Sequence, residues 1–384
     1  MKLREVHKEI SSFLQERIDE RDFPSFSWLV GKGEITCFGV GGLAVVEPKE
    51  IKASELTIYD LASLTKPLIT GLICAKLIER KGLNLDYPVC YYLPEFERVD
   101  KREITIQNLL VHTSGFPAWK PFYLCAESRE DILNLIVSEP LEAKPNEQVK
   151  YSDFNFIALG FLLEKIYGIR LDKIAQREIF EPLKLFQAFF NRTVNLDVYK
   201  NSYKYKEKFQ RIAASEFGNE HEKQMCVDLG FDISKYDWRD YQVWGEVHDG
   251  NCFFMDGVSG HAGLFSNVFE TFKIAQQFLA EETVLLKPET CRLFRTNFTK
   301  GLNEARSIAF QLAETPNSTS SNALSKDSFG HLGFTGTSLW IEPETQRIFI
   351  LLTNRTHNRE LPFANINDVR RKFHELAAQI LNEK

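Results

Sequence analysis

Ser63-Leu64-Thr65-Lys66 is the first stretch of the chain whose residue types and spacing could do chemistry. A serine hydroxyl becomes a useful nucleophile only beside a base, and residues three apart share one helix face within contact distance. The neighbourhood predicts a helix opening here: Pro67 is tolerated in a first turn, and Leu68, Ile69, Ile73 and Leu77 continue an apolar face towards Gly82. Ser63 would then meet the N–H groups and positive dipole end that stabilise an oxyanion. Chance alone yields on the order of one S-x-x-K in a chain of this length, so the pair needs support from elsewhere. For Lys66 to accept a proton at neutral pH, its pKa must fall by about 3 from roughly 10.4, about 4 kcal/mol of environmental bias.

That support comes from the wider segment. Ile58-Tyr59-Asp60-Leu61-Ala62-Ser63-Leu64-Thr65-Lys66-Pro67 resembles the active-site segment of the penicillin-recognising serine hydrolases: class C β-lactamases, DD-peptidases and β-lactamase-like esterases. Their three motifs run S-x-x-K, Y-x-N or S-x-N, and K-T-G in chain order. Tyr151-Ser152-Asp153 and Tyr199-Lys200-Asn201 compete for the second motif. The family sets this tyrosine directly before a helix, and Tyr151 precedes the apolar Phe154-Asn155-Phe156-Ile157-Ala158-Leu159-Gly160, so Tyr151 is chosen and Tyr199 is read as surface loop. For the third motif, His331-Leu332-Gly333 is preferred to His261-Ala262-Gly263 because it runs straight into a C-terminal hairpin, where the family places that strand. Residues 109–116, 245–249 and 257–266 match the same branch and extend the resemblance from about residue 58 to 340.

The resemblance implies that Ser63 is the acyl-accepting nucleophile, with Lys66 and Tyr151 as base and proton relay and Tyr151 serving the leaving group. It implies an oxyanion hole from the N–H groups of Ser63 and Phe334, close approach of substrate at Gly333, and no metal or cofactor. Two positions depart from the family pattern. Asp153 stands where an Asn would donate to a substrate carbonyl, and an ionised Asp can only accept. His331 stands where a Lys helps hold a substrate carboxylate, and a largely neutral His is a weaker anion anchor. Both weaken the case for β-lactam or peptidoglycan-stem recognition.

Elements must bring these residues together. Leu3, Val6, Ile10, Phe13, Leu14 and Ile18 form a helical stripe, followed by two strand-like runs at 25–30 and 34–40 around Gly31-Lys32-Gly33. The far end mirrors this, with strands at 335–341 and 347–353 and a helix over 369–381. Hairpins at both ends predict one mainly antiparallel sheet built from 1–91 and 294–384. The middle, 92–293, reads as a helical insertion with helices at 106–111, 131–137, 154–167 and 268–279, and a polar surface excursion over about 191–241. The fold class is therefore α+β, of the β-lactamase/transpeptidase-like type.

Composition sets outer limits. The chain has 384 residues, 43% hydrophobic and 26% charged, enough apolar material for a sizeable core. Its formal charge of −6, with both signs interspersed, argues against a phosphate-binding nucleic-acid partner. Apolar runs are too short to span a bilayer, and the charged first twenty residues hold no signal-peptide core, so a cytoplasmic protein without membrane partner is expected. Seven scattered cysteines read as reduced thiols. No metal-ligand spacing, phosphate loop or G-x-S-x-G appears; Gly257-Val258-Ser259-Gly260-His261 has its second glycine misplaced. His248-Asp249 could be a dyad, but reads better as structural or pocket-lining. Phe116, Trp119, Phe122, Tyr123, Phe253 and Phe254 would favour an apolar substrate group if they faced the cleft, although core packing explains aromatics more simply in a chain with 31 Phe.

The leading expectation is a serine hydrolase cleaving an ester or amide of a small molecule through acyl-Ser63. The alternatives are a DD-peptidase or β-lactamase, and a catalytically silent binding or assembly protein with the same fold. The oligomeric state is left open.

Overall fold

The computed structural model describes residues 2–192, 203–234 and 236–381. Tyr199-Lys200-Asn201, the competing second motif, lies outside them.

Among the described residues, eleven strands form two sheets: β1 (Ser25–Lys32), β2 (Ile35–Val45), β3 (Ile51–Lys52), β4 (Tyr59–Asp60), β5 (Phe189–Phe190), β6 (Leu264–Ser266), β7 (Arg306–Ser307), β8 (Phe310–Leu312), β9 (Phe329–Leu332), β10 (Ser338–Glu342) and β11 (Arg347–Thr353). The larger sheet has the order β3-β2-β1-β11-β10-β9-β8-β7. Its centre joins the two chain ends, with Leu29 opposite Ile350 and Trp28 opposite Leu351 in an antiparallel register. Every residue of β10 and β11 is buried, as expected of strands covered on both faces.

The period of two sorts these side chains. Trp28, Val30, Trp340, Phe349 and Leu351 face Val6, Ile10 and Leu14 of the N-terminal helix (Lys2–Asp19) and Phe373, Leu376 and Ala377 of the C-terminal helix (Asn367–Ala377). Leu29, Leu339, Ile341, Ile348, Ile350 and Leu352 face the other way, into the larger core shared with the helical region. Truncating a fully buried ring such as Trp28 or Phe373 would cost about 3–5 kcal/mol.

Three expectations shift. The strand read at 335–341 begins at Ser338, because the Thr335 and Thr337 hydroxyls turn inward to donate to the Asp60 and Leu61 carbonyls. Helix Val268–Ala275 packs on β1 and β11, with Phe269 meeting Phe38 at 4.9 Å, so it serves the large sheet although it lies within the stretch read as insertion. The polar excursion contains helices Tyr203–Gln210 and Glu220–Asp228. The latter shows no apolar stripe because its buried Glu222 is held by hydrogen bonds, accepting from the Tyr123 hydroxyl at 2.9 Å and the Gly250 N–H at 2.9 Å.

The smaller sheet, β4-β6-β5, ties residues 59–60 to 264–266, with Asp60 opposite Phe265. It anchors the segment that leads into Ser63.

Candidate active site

Ser63 lies in a single 3-10 turn, Ala62–Leu64, that continues through a π-helical turn, Lys66–Gly71, into helix Leu72–Glu79. The expected helix is present, with a wider turn at Pro67. Ala62, immediately before the serine, has φ +47°, an unfavourable backbone for a residue with a Cβ. Its neighbours hold it there: Asp60 accepts from the Ala62 N–H at 2.8 Å and from the His248 N–H at 2.8 Å, and the Thr65 hydroxyl donates to the Ala62 carbonyl at 2.7 Å.

Tyr151 and Asp153 arrive from a loop and the first turn of helix Asp153–Tyr167, where a carboxylate is favoured by the helix dipole. The 109–116 segment clamps that loop. His112 accepts at Nδ1 from the Ser152 N–H at 3.1 Å and lays its ring on that of Tyr151 at 4.5 Å, while Ser114 donates to Asn155 at 2.6 Å. The 257–263 loop closes the other side. A Cβ on Gly260 would come within 2.1 Å of the Phe156 carbonyl oxygen, so only glycine lets this loop lie against the helix. It thereby presents the His261 carbonyl to Lys66 at 3.2 Å.

The Lys66 ammonium is the hub. It donates to Ser63 Oγ at 2.9 Å and lies 2.7 Å from Asp153 Oδ1, with the Tyr151 ring centroid 4.9 Å away. The Tyr151 phenol interacts with both Lys66 and Ser63. Burial alone would push the Lys66 pKa down, but the Asp153 carboxylate and Tyr151 outweigh it and hold the amine above its ordinary value. The expected depression of Lys66 is therefore reversed, because Asp153 points at the lysine. Burial also raises the Tyr151 phenol, partly offset by the Lys66 charge.

The third-motif turn seals the site from the sheet side. A Cβ on Gly333 would sit 2.0 Å from Thr337 Oγ1 and 2.7 Å from the Leu61 carbonyl, so the close approach it permits is of β9 to the Ser63 segment. Arg370 donates to the Gly333 and Thr337 carbonyls at 2.7 and 3.0 Å. Phe334 follows at the cleft rim, its ring flanked by His221 at 4.9 Å, His248 at 5.4 Å and the Arg355 guanidinium at 4.8 Å. His331 is buried, and burial together with the Lys66 and Arg306 charges pushes it well below the usual histidine range. It carries no charge with which to hold an anion.

These groups line one cleft of about 540 Å³, to which Ser63, Tyr151, Asp153, His331, Gly333 and Phe334 all contribute. Trp119 is the one residue of the aromatic set read from sequence that lines it; Phe116 and Phe122 pack in the core. Sequence reasoning missed Arg306, whose guanidinium lies 5.5 Å from the Tyr151 ring centroid, and Glu222, which also lines the cleft. Neither sits in a motif. Burial first, and then the Asp249 charge, raise the Glu222 carboxyl to about 7.

Asp249, His261 and Ser259 form a second constellation. His261 Nε2 lies 2.9 Å from Asp249 Oδ1 and Nδ1 lies 2.8 Å from Ser259 Oγ. The atoms form a Ser-His-Asp chain, yet Ser259 is 4% exposed and outside the cleft, which leaves a substrate no route to it. His248 bonds Glu216 at 2.8 Å, so the His248-Asp249 dyad does not form and both residues line the pocket. Asp153, Asp249 and His261 bring potential ligand atoms within 4.8 Å of one another, and the Lys66 ammonium is the cation beside Asp153.

Comparison with known proteins identifies the family and the fold. The Beta-lactamase family profile matches residues 10–370, and the chain belongs to that family, a serine hydrolase superfamily of β-lactamase type. It is 29% identical over 392 residues to a putative D-alanyl-D-alanine carboxypeptidase of Escherichia coli K12, covering 93% of this chain and 86% of that one. Its fold resembles that of EstCE1, a hydrolase with promiscuous acyltransferase activity, with a TM-score of 0.71 at 19% identity over 97% of this chain and 99% of that one. It also resembles a class C β-lactamase, with a TM-score of 0.74 at 15% identity over 100% and 98% of the two chains. The fold is the β-lactamase/transpeptidase-like α+β fold. No helix among the described residues is long and apolar enough to cross a membrane.

Proposed function

We propose that the protein is a serine hydrolase that cleaves an ester or amide of a small molecule through an acyl-Ser63 intermediate, with esters preferred. The observation that carries this reading is the contact of Lys66 with Ser63 Oγ at 2.9 Å and Asp153 at 2.7 Å, with the Tyr151 ring centroid 4.9 Å from the same ammonium.

Lys66 begins as an ammonium and cannot take the serine proton until it gives one up. Asp153 is the acceptor within reach. As Ser63 Oγ bonds to the substrate carbonyl carbon, its proton passes to Lys66 while Lys66 hands one to Asp153. Tyr151 donates its phenolic proton to the departing oxygen or nitrogen and recovers one from the Lys66–Asp153 pair. Water then attacks the acyl carbon, its proton follows the same path, and Ser63 is released. The N–H groups of Ser63 and Phe334 hold the oxyanion in each step.

A second reading, peptidase or lactamase action, is favoured by the carboxypeptidase name carried by the Escherichia coli relative. The uncharged His331 argues for the esterase reading, since it lacks the cation expected beside a substrate carboxylate. Comparing short-chain nitrophenyl esters with a chromogenic cephalosporin and a D-alanyl-D-alanine peptide ranks the three. Ester turnover with little lactam or peptide turnover supports the proposal, and the reverse order overturns it. The seven unpaired thiols support a reducing, cytoplasmic location.

A further inference from the structure

His331 holds a buried polar atom with no partner among the described residues. Its Nδ1 lies 2.8 Å from the Leu332 carbonyl oxygen. A carbonyl only accepts, so Nδ1 bears the proton and Nε2 of the neutral ring presents a bare lone pair. That Nε2 makes no hydrogen bond among the described residues, although the residue is only 4% exposed and lines the cleft beside Ser63 and Tyr151. The charges of Lys66, Arg306 and Arg370 act on this ring and oppose a second proton on it. An orphaned buried acceptor costs about 1–3 kcal/mol, and in a binding cleft a ligand that brings a donor recovers that cost.

The residue that replaces the family's cationic donor has thus become an acceptor. A substrate carboxylate would set acceptor against acceptor, whereas a hydroxyl would satisfy it. Position says which end of the substrate carries that hydroxyl. The His331 and Tyr151 rings are 5.8 Å apart, and in the acyl-Ser63 reading, on which this inference rests, Tyr151 protonates the leaving group. We propose that His331 Nε2 accepts a hydrogen bond from a hydroxyl carried on the leaving group next to the scissile bond, so that the preferred substrates are acyl esters of diols and polyols.

Three matched butyrate esters test this: 2-hydroxyethyl, propyl and carboxymethyl, followed by butyrate release. The wild-type kcat/KM for the hydroxyethyl ester is expected to exceed that for the propyl ester by about tenfold or more, with the carboxymethyl ester poorest. His331→Leu should collapse the hydroxyethyl-to-propyl ratio to about one, and His331→Lys should reverse the order of the hydroxyethyl and carboxymethyl esters. A wild-type ratio near one, a ratio that survives in His331→Leu, or a wild-type preference for the carboxymethyl ester would overturn the proposal while leaving acyl-Ser63 chemistry standing. Turnover of none of the three, with Ser63 also unreactive towards a fluorophosphonate, would remove the acyl-Ser63 reading and this inference with it.

Discussion

Lys66 Nζ lies 2.7 Å from Asp153 Oδ1 and 2.9 Å from Ser63 Oγ, so one ammonium joins the candidate nucleophile to a carboxylate. The pair is buried on the lysine side and nearly so on the aspartate side, with side-chain exposures of 0% and 15%. Water therefore screens it little. The position that would hold an asparagine amide for substrate instead sets the protonation state of the lysine.

Asp153→Asn removes both the counter-charge and the proton acceptor. We expect kcat at pH 7 to fall about 100-fold. Burial then acts on Lys66 without the carboxylate opposing it and brings its pKa down, so the remaining activity should climb with pH as the amine deprotonates, a limb the wild type lacks. A pH–rate profile measures this. Unchanged kcat with an unchanged profile would show that Asp153 takes no part in the proton path.

Glu222 predicts a stability change with pH. Its carboxyl is raised in the folded protein to about 7, against 4.5 for the free side chain, so the folded state binds the proton more tightly. The contribution is fully present below pH 4.5 and is lost as pH rises through about 7, amounting to roughly 3 kcal/mol at most. Urea unfolding at pH 5 and pH 8 should show the wild type losing stability across this window and Glu222→Gln losing much less. Parallel losses in the two proteins would contradict the assignment.

Gly333→Ala would place a methyl group 2.0 Å from Thr337 Oγ1 and 2.7 Å from the Leu61 carbonyl. The end of β9 must then move away from the Ser63 turn, with a stability loss of about 1–3 kcal/mol. A displacement near 1 Å at the oxyanion site should lower kcat/KM by about 100-fold. Steady-state kinetics and a thermal melt report both effects, and near-wild-type kinetics would show that the close approach has no catalytic consequence.

Ser259→Ala separates the buried Ser259-His261-Asp249 chain from catalysis. Loss of the hydroxyl leaves His261 Nδ1 without its 2.8 Å partner, a cost of about 1–3 kcal/mol in stability. Ester hydrolysis should stay within about tenfold of wild type, since that is the reach of a small shift in the His261 carbonyl on Lys66. A loss as deep as that of Ser63→Ala would make Ser259 the nucleophile.

The large sheet was legible because alternation and hairpin turns are local, and because matching helix and hairpin signals recur at both chain ends. Ser63 and Lys66 stood out through spacing, and Tyr151 and His331 through the resemblance to the family's second and third motifs. What Asp153 touches was not legible: the second-motif pattern sets it towards substrate, and only the fold brings the Lys66 ammonium, from a distant segment, beside it. Arg306 reaches the cleft on the two-residue strand β7, too short for any periodicity. Glu222 hides on a helix without an apolar stripe, since hydrogen bonds from Tyr123 and Gly250 let it be buried. The His331 lone pair depends on a contact of its own Nδ1 with the next carbonyl, which no sequence pattern signals.

The most direct test of acyl-Ser63 chemistry is mass spectrometry of the intact protein and its peptides after reaction with a fluorophosphonate. One adduct is expected, on the peptide containing Ser63, absent from Ser63→Ala and retained in Ser259→Ala. No adduct, or an adduct that persists in Ser63→Ala, would contradict it.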